Sequence, residues 1–173
     1  MEYFNLTTTQ KNIWNLQAYY EGTAITNLCG AVFYEELRDI ECLQKAINQI
    51  IRKQSALRVQ FVNQEGKVKQ YVKEYCYVNI PVHEFADEKA FGEYAKELAS
   101  NPMELLEQDM YRFEIVMVGD KQGVLAVFNH LIADAWTFSL IVKEVDEAYQ
   151  NLLMGKEVNS ENSDYIRRSE EHT

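Results

Sequence analysis

The sequence predicts an α+β fold, a two-layer α/β sandwich whose mixed, largely antiparallel sheet carries helices on one face. Three observations predict it. Strand-like runs come in adjacent pairs joined by polar turns, over residues 57–72 and 112–129, which makes hairpins and therefore antiparallel neighbours. Stretches with helical spacing separate those pairs, so helices have a sheet to lie on. A chain of 173 residues with 47% hydrophobic and 12% aromatic content can bury one well-packed core.

The elements follow in order. Thr7 and Gln10 have the spacing of a capping box, so a helix starts there, with Ile13, Trp14, Leu16 and Tyr20 as its apolar face and Gly22 as its stop. Residues 28–34 read as a buried strand. From Asp39 onward Ile40, Leu43, Ala46, Ile47, Ile50 and Ile51 recur at helical spacing, an amphipathic helix laid on a sheet. Residues 57–61 alternate, with Leu57, Val59 and Phe61 on one side and Arg58 and Gln60 on the other. The turn composition of residues 63–66 leads into a second strand over 68–72. A short strand is expected over residues 76–80, ended by Pro81, then a helix over 87–99 with Phe91, Tyr94, Ala95 and Leu98 inward. Residues 112–118 and 124–129 flank a polar loop at 119–123. The closing helix presents Phe138, Ile141, Val142, Val145, Ala148, Tyr149 and Leu152 on one side and stops at Gly155. Residues 157–173 lose periodicity and have the charged, polar composition of a linker.

Composition excludes several function classes. The net charge of -10 and isoelectric point near 4.8, with no basic cluster beyond Arg167-Arg168, argue against nucleic acid or anionic membranes as partners. Three widely spaced cysteines in apolar surroundings, Cys29, Cys42 and Cys76, read as reduced core residues and imply a cytoplasmic protein. No basic-then-apolar start and no apolar run of about 18 residues is present, so neither an export signal nor a membrane span is expected. A nucleophile elbow, a phosphate-cradling glycine loop and a zinc motif are all missing. His83, His130 and His172 lie too far apart to suggest a ligand set, and no bound metal is expected. Trp14 and Trp136 read as core or interface anchors.

Chemistry concentrates in residues 124–139. An apolar run ends at Asn129 and His130, a short turn follows, and Asp134 caps the closing helix. Both His130 and Asp134 therefore stand at element ends, where a reactive imidazole can face a cleft while the framework holds its neighbours. By itself His-x-x-x-Asp is also the pattern of an ordinary strand-end His followed by a helix cap.

The surrounding motifs add to it. The run from Asn129 to Ala135, Asn-His-Leu-Ile-Ala-Asp-Ala, resembles the His-His-x-x-x-Asp-Gly motif of condensation domains in nonribosomal peptide synthetases, members of the chloramphenicol acetyltransferase-like superfamily. The stretch from Leu6 to Trp14 is similar to that family's opening Ser-x-Ala-Gln-x-x-x-Trp segment, and the stretch from Arg52 to Arg58 to its Arg-His-Glu-x-Leu-Arg segment. Tyr165 sits where the family has an aromatic-rich crossover.

The resemblance implies two such lobes joined in a V, with this chain as the first: residues 1–156 the N-terminal lobe, and 157–173 the start of the crossover linker to the missing C-terminal lobe. It places the active site on the floor of a tunnel between lobes, fed from both ends by carrier protein domains. No cofactor is then bound directly; phosphopantetheine on the carriers holds the substrates. His130 matches the catalytic His. Asp134 matches a structural Asp that pairs with the residue matching Arg58. Asn129 stands where the family has a supporting first His, and Ala135 replaces its Gly while keeping an N–H able to support an oxyanion. The face around His130, without its second lobe, is expected to leave apolar surface open to self-association. Two other readings stay open: a non-catalytic domain that docks carriers or recruits a partner, suggested by Asn129 and Ala135, and an acyltransferase using soluble acyl-coenzyme A, which the acidic charge disfavours.

Overall fold

The two sides of one strand set the architecture. In a computed structural model that describes residues 2–156, β2 (Asn27–Tyr34) forms one edge of a four-stranded sheet. Successive side chains of a strand point to opposite faces. A Cβ at Gly30 would meet the Phe138 ring at 2.6 Å, whereas Cys29 Sγ lies 4.0 Å from the Ala95 carbonyl. Phe138 belongs to α4 (Ala135–Leu153) and Ala95 to α3 (Glu88–Ser100), so helices lie on both faces of this sheet.

The sheet runs β2-β7-β6-β5, with β7 (Lys121–Asn129) antiparallel to both β2 and β6 (Tyr111–Val118), and β5 (Val82–Phe85) parallel to β6. A smaller antiparallel sheet holds β1 (Phe4–Asn5), β4 (Lys67–Val72) and β3 (Val59–Gln64) in that order. The mixed, largely antiparallel α+β class stands; the single helical face does not. α2 (Ile40–Lys53) and α4 share a face, burying Leu43, Ile47, Ile50 and Ile51 with Ile141, Val145 and Tyr149 in the main core. The reason lies in β7, where every residue after Lys121 is buried, because a strand apolar on both sides needs cover on both. α3 provides that second cover with Phe91, Tyr94, Ala95 and Leu98 half-buried, and no residue of it is fully buried.

Four local expectations change. Residues 76–80 form no strand, because side chains of α2 take their backbone bonds: Asn48 Nδ2 donates to the Val78 carbonyl, Val78 N–H donates to Asn48 Oδ1, and Gln44 Nε2 donates to the Ile80 carbonyl. The strand begins instead just after Pro81, whose carbonyl accepts from Ile115 N–H. Leu57 and Arg58 sit in a 3-10 turn over Ser55–Arg58 ahead of β3. The loop at 119–123 is tighter than its composition suggests: Gly119 turns the hairpin at φ 58°, and Gly123 is already within β7, so close to β2 that a Cβ would lie 2.5 Å from the Val32 carbonyl.

The helix α1 (Thr8–Tyr19) forms the capping box its sequence predicts, Thr7 Oγ1 accepting from Gln10 N–H and Gln10 Oε1 from Thr7 N–H. Its buried residues are Gln10 and Gln17, flanked by half-buried Ile13 and by Trp14, whose ring lies 5.8 Å from that of Phe61. Leu16 and Tyr20 point outward instead of into the core. The cysteines are free, but Cys29 and Cys42 are only half-buried and Cys76 is exposed, so none belongs to the core. The linker reading and Tyr165 fall outside the described residues.

Candidate active site

His130 follows β7 directly and is exposed, while the three residues after it are buried. A carbonyl oxygen can only accept, so the 3.1 Å contact between His130 Nδ1 and the Ala133 carbonyl puts the ring proton on Nδ1. In the neutral ring Nε2 then carries a lone pair. The backbone around it is closely held: His130 N–H donates to the Thr26 carbonyl at 2.8 Å, Asn129 N–H to the Met110 carbonyl at 2.9 Å, and Ile132 N–H to the Asn129 carbonyl at 3.0 Å.

Behind the imidazole runs a buried chain of amides and hydroxyls. Asn129, 1% exposed, accepts Leu131 N–H on Oδ1 at 2.9 Å, the side-chain turn for which Asn is suited. Its Nδ2 donates to Thr26 Oγ1 at 2.8 Å, and Thr26 Oγ1 donates to Gln17 Oε1 at 2.6 Å. From the other end of α1, Gln10 Nε2 reaches the Leu131 carbonyl at 3.3 Å and pairs reciprocally with the Gln70 amide at 2.8 and 3.0 Å. Buried polar groups of this kind cost free energy unless bonded, and here they bond to one another across three elements. Sequence reasoning does not find Gln10, Gln17, Thr26 and Gln70 as members of the site. Two glutamines two helical turns apart, facing the same side as Ile13 and Trp14, are the signal that could have pointed to them.

A family model described as the condensation domain matches residues 2–173. The chain belongs to the condensation domain family. One subunit of the linear gramicidin synthase of Brevibacillus parabrevis is 25% identical over 158 residues, a match covering 87% of this chain and 3% of that protein. Surfactin synthase subunit 1 of Bacillus subtilis is 24% identical over 163 residues, covering 90% of this chain and 4% of that protein. Among solved structures, the starter condensation domain of a rhizomide synthetase superposes with a TM-score of 0.89 at 17% identity, covering 99% of this chain and 43% of that one. The first condensation domain of the CDA synthetase gives 0.86 at 15% identity, covering 96% and 44%. The chain thus spans under half the length of these solved condensation domains, and 3% to 4% of these two curated synthetase subunits.

Within this condensation-domain fold the remaining motif residues differ from expectation at one point. Asp134 is exposed, and its Oδ1 accepts from both the backbone N–H and the hydroxyl of Thr137, each at 2.7 Å. Those bonds to Thr137, the backbone one foremost, hold its carboxyl below the usual carboxylate range. Arg58 is buried and donates to the Lys73 carbonyl at 2.8 Å, with burial as the main cause drawing its pKa down. The expected Arg58–Asp134 ion pair therefore does not form. A helix cap satisfies the carboxylate locally without taking it out of water, whereas a buried pair would have to offset two desolvation costs. Ala135, the first residue of α4, is exposed beside it, where helix amides lack intrahelical partners. Among the described residues no three His, Cys, Asp or Glu side chains gather as a metal-ligand set, and no helix is long and apolar enough to cross a membrane.

Proposed function

We propose that this chain is the N-terminal lobe of a peptide-synthetase condensation domain, residues 1–156 forming the lobe and 157–173 leading toward a second lobe. Paired with that lobe, it catalyses amide bond formation between a carrier-tethered acyl or peptidyl donor and a carrier-tethered aminoacyl acceptor. The observation that carries this reading is the exposed His130 ring, its Nδ1–H held on the Ala133 carbonyl and its Nε2 left as an acceptor.

The reaction has one bond made and one broken. The acceptor amine attacks the thioester carbon, the new C–N bond forms, and the carbonyl oxygen takes up negative charge in a tetrahedral intermediate. Nε2 of His130 receives the proton that the amine sheds, the C–S bond breaks, and the proton passes to the departing phosphopantetheine thiolate. The amide N–H of Ala135, two residues past the Ala133 carbonyl that holds the His130 ring, is the candidate donor to the oxyanion. No cofactor is bound directly in this scheme. Carrier domains and the second lobe are the partners, and the second lobe covers the exposed Trp136 and Leu140; without it, that surface favours self-association. The reaction is placed in the cytoplasm, with the other synthetase domains.

Asn129 favours catalysis over a purely docking role, since it spends its polar groups holding the His130 turn. In a two-lobed domain containing this chain, supplied with loaded carriers, His130→Ala is expected to lower turnover by about a hundredfold or more, with thermal stability unchanged because the side chain is exposed. Wild-type turnover by that variant would remove His130 from the chemistry.

A further inference from the structure

Thr26, the residue before β2, is 1% exposed and touches both members of the Asn129-His130 pair. Its carbonyl accepts His130 N–H at 2.8 Å, and its hydroxyl accepts Asn129 Nδ2 at 2.8 Å while donating to Gln17 Oε1 at 2.6 Å. The direction of every bond in this chain is determined from one end. Gln17 Nε2 is committed to the Thr23 carbonyl at 2.7 Å and the Tyr20 carbonyl at 3.3 Å, so its oxygen must face Thr26. The Thr26 hydroxyl proton therefore points to Gln17 and its lone pairs toward Asn129. Asn129 must then present its NH2 there, which leaves Oδ1 for Leu131 N–H on the far side of His130. A reversed amide would set oxygen against hydrogen-bond acceptor at one end and N–H against N–H at the other.

We infer that Thr26, backed by Gln17, is a positioning residue for His130. The hydroxyl relay sets the backbone of the Asn129–Leu131 turn, which keeps Nδ1 on the Ala133 carbonyl and Nε2 facing outward. A hydroxyl is required because it must accept from one amide and donate to another in the same place. The assignment rests on the catalytic reading of His130 for its kinetic consequence only; the geometry is a property of this chain alone.

The test is a nitrogen NMR measurement of the His130 ring in the full chain, with its signals identified by their loss in His130→Gln. The wild-type neutral ring is expected to be held as the Nδ1–H tautomer. Thr26→Val, nearly the same shape without the hydroxyl, is expected to shift the ring toward the mixed tautomers of free histidine, and Thr26→Ser to restore the wild-type signals. In the two-lobed domain with loaded carriers, Thr26→Val should lower kcat by about tenfold with KM unchanged, since a slightly misplaced group costs rate more than binding. A role in stability alone would lower the melting temperature of Thr26→Val and leave the tautomer as in wild type, which overturns the inference. Failure of Thr26→Ser to restore the signals overturns it as well. Should Thr26→Val not fold, Gln17→Met, which removes the acceptor of the same hydroxyl from another element, is read by the same signals. An inactive wild-type two-lobed domain would instead refute the proposed reaction, while the tautomer still decides the place of Thr26.

Discussion

Helices α1 and α2 are both capped by an oxygen-bearing side chain, Thr7 and Asp39 respectively, and are fastened to the molecule by opposite means. α2 buries Leu43, Ala46, Ile47, Ile50 and Ile51. α1 buries Gln10 and Gln17 and turns Leu16, Tyr19 and Tyr20 outward. Apolar burial is non-directional and roughly proportional to area, so it fixes that α2 stays down but tolerates small rotations. Hydrogen bonds between buried amides are directional, and a wrong angle leaves a desolvated group unpaired. The contrast teaches a division of labour: α2 supplies stability, whereas α1 supplies orientation to the turn that carries His130.

The largest expected effect tests the first half of that division. Ile47 is fully buried, and Ile47→Ala is expected to cost about 3 to 4 kcal/mol in urea unfolding while leaving the His130 ring signals of the folded protein unchanged. Altered ring signals would mean that α2 also orients the site. A smaller loss, about 1 to 3 kcal/mol, is expected for Gln10→Leu, which takes the donor from the buried Gln70 Oε1 while Gln70 Nε2 keeps the Asn5 carbonyl. Its diagnostic is local: the amide signals of Leu131 and Ile132 should move, and their constancy would sever α1 from the turn. The smallest effect is at Asp134, an exposed cap, where Asp134→Ala should cost about 1 kcal/mol near neutral pH. Because the folded carboxyl titrates below its ordinary value, this contribution is complete above about pH 4 and fades as the pH falls through the lower folded value. A difference between wild type and variant that persists undiminished in strong acid would contradict the cap.

Elements governed by local chemistry were visible in the sequence. The Thr7–Gln10 capping box, the Asp134 cap and the apolar stripe of α2 each depend on residues within a few positions of one another. What escaped depends on partners distant in the chain. Residues 76–80 look like a strand, and only the position of Asn48 and Gln44 on α2 shows that side chains satisfy that backbone instead. β5 was displaced past Pro81 for the same reason, its partner β6 lying some thirty residues on. The apolar run of β7 carries the pattern of a strand buried on both faces, yet the expectation set all helices on one face; α3 covers the second side. At the proposed site, the place of His130 and Asp134 at element ends was legible in the sequence. Thr26 and Gln17 carry no motif, and the Arg58–Asp134 pair was inferred from resemblance where local capping chemistry prevails.

The Gln10–Leu131 bond closes a loop of 121 residues, and taken alone such a closure would carry a heavy entropic penalty for one hydrogen bond. It does not stand alone, because the β2–β7 ladder has already set Asn27 opposite Asn129. Once that ladder exists, the ends of the amide relay are separated by short stretches of ordered chain, and the remaining closure is slight. The turn bearing His130 therefore depends on the assembled sheet: a half-folded chain holds the imidazole without its orientation, which comes only with the completed fold.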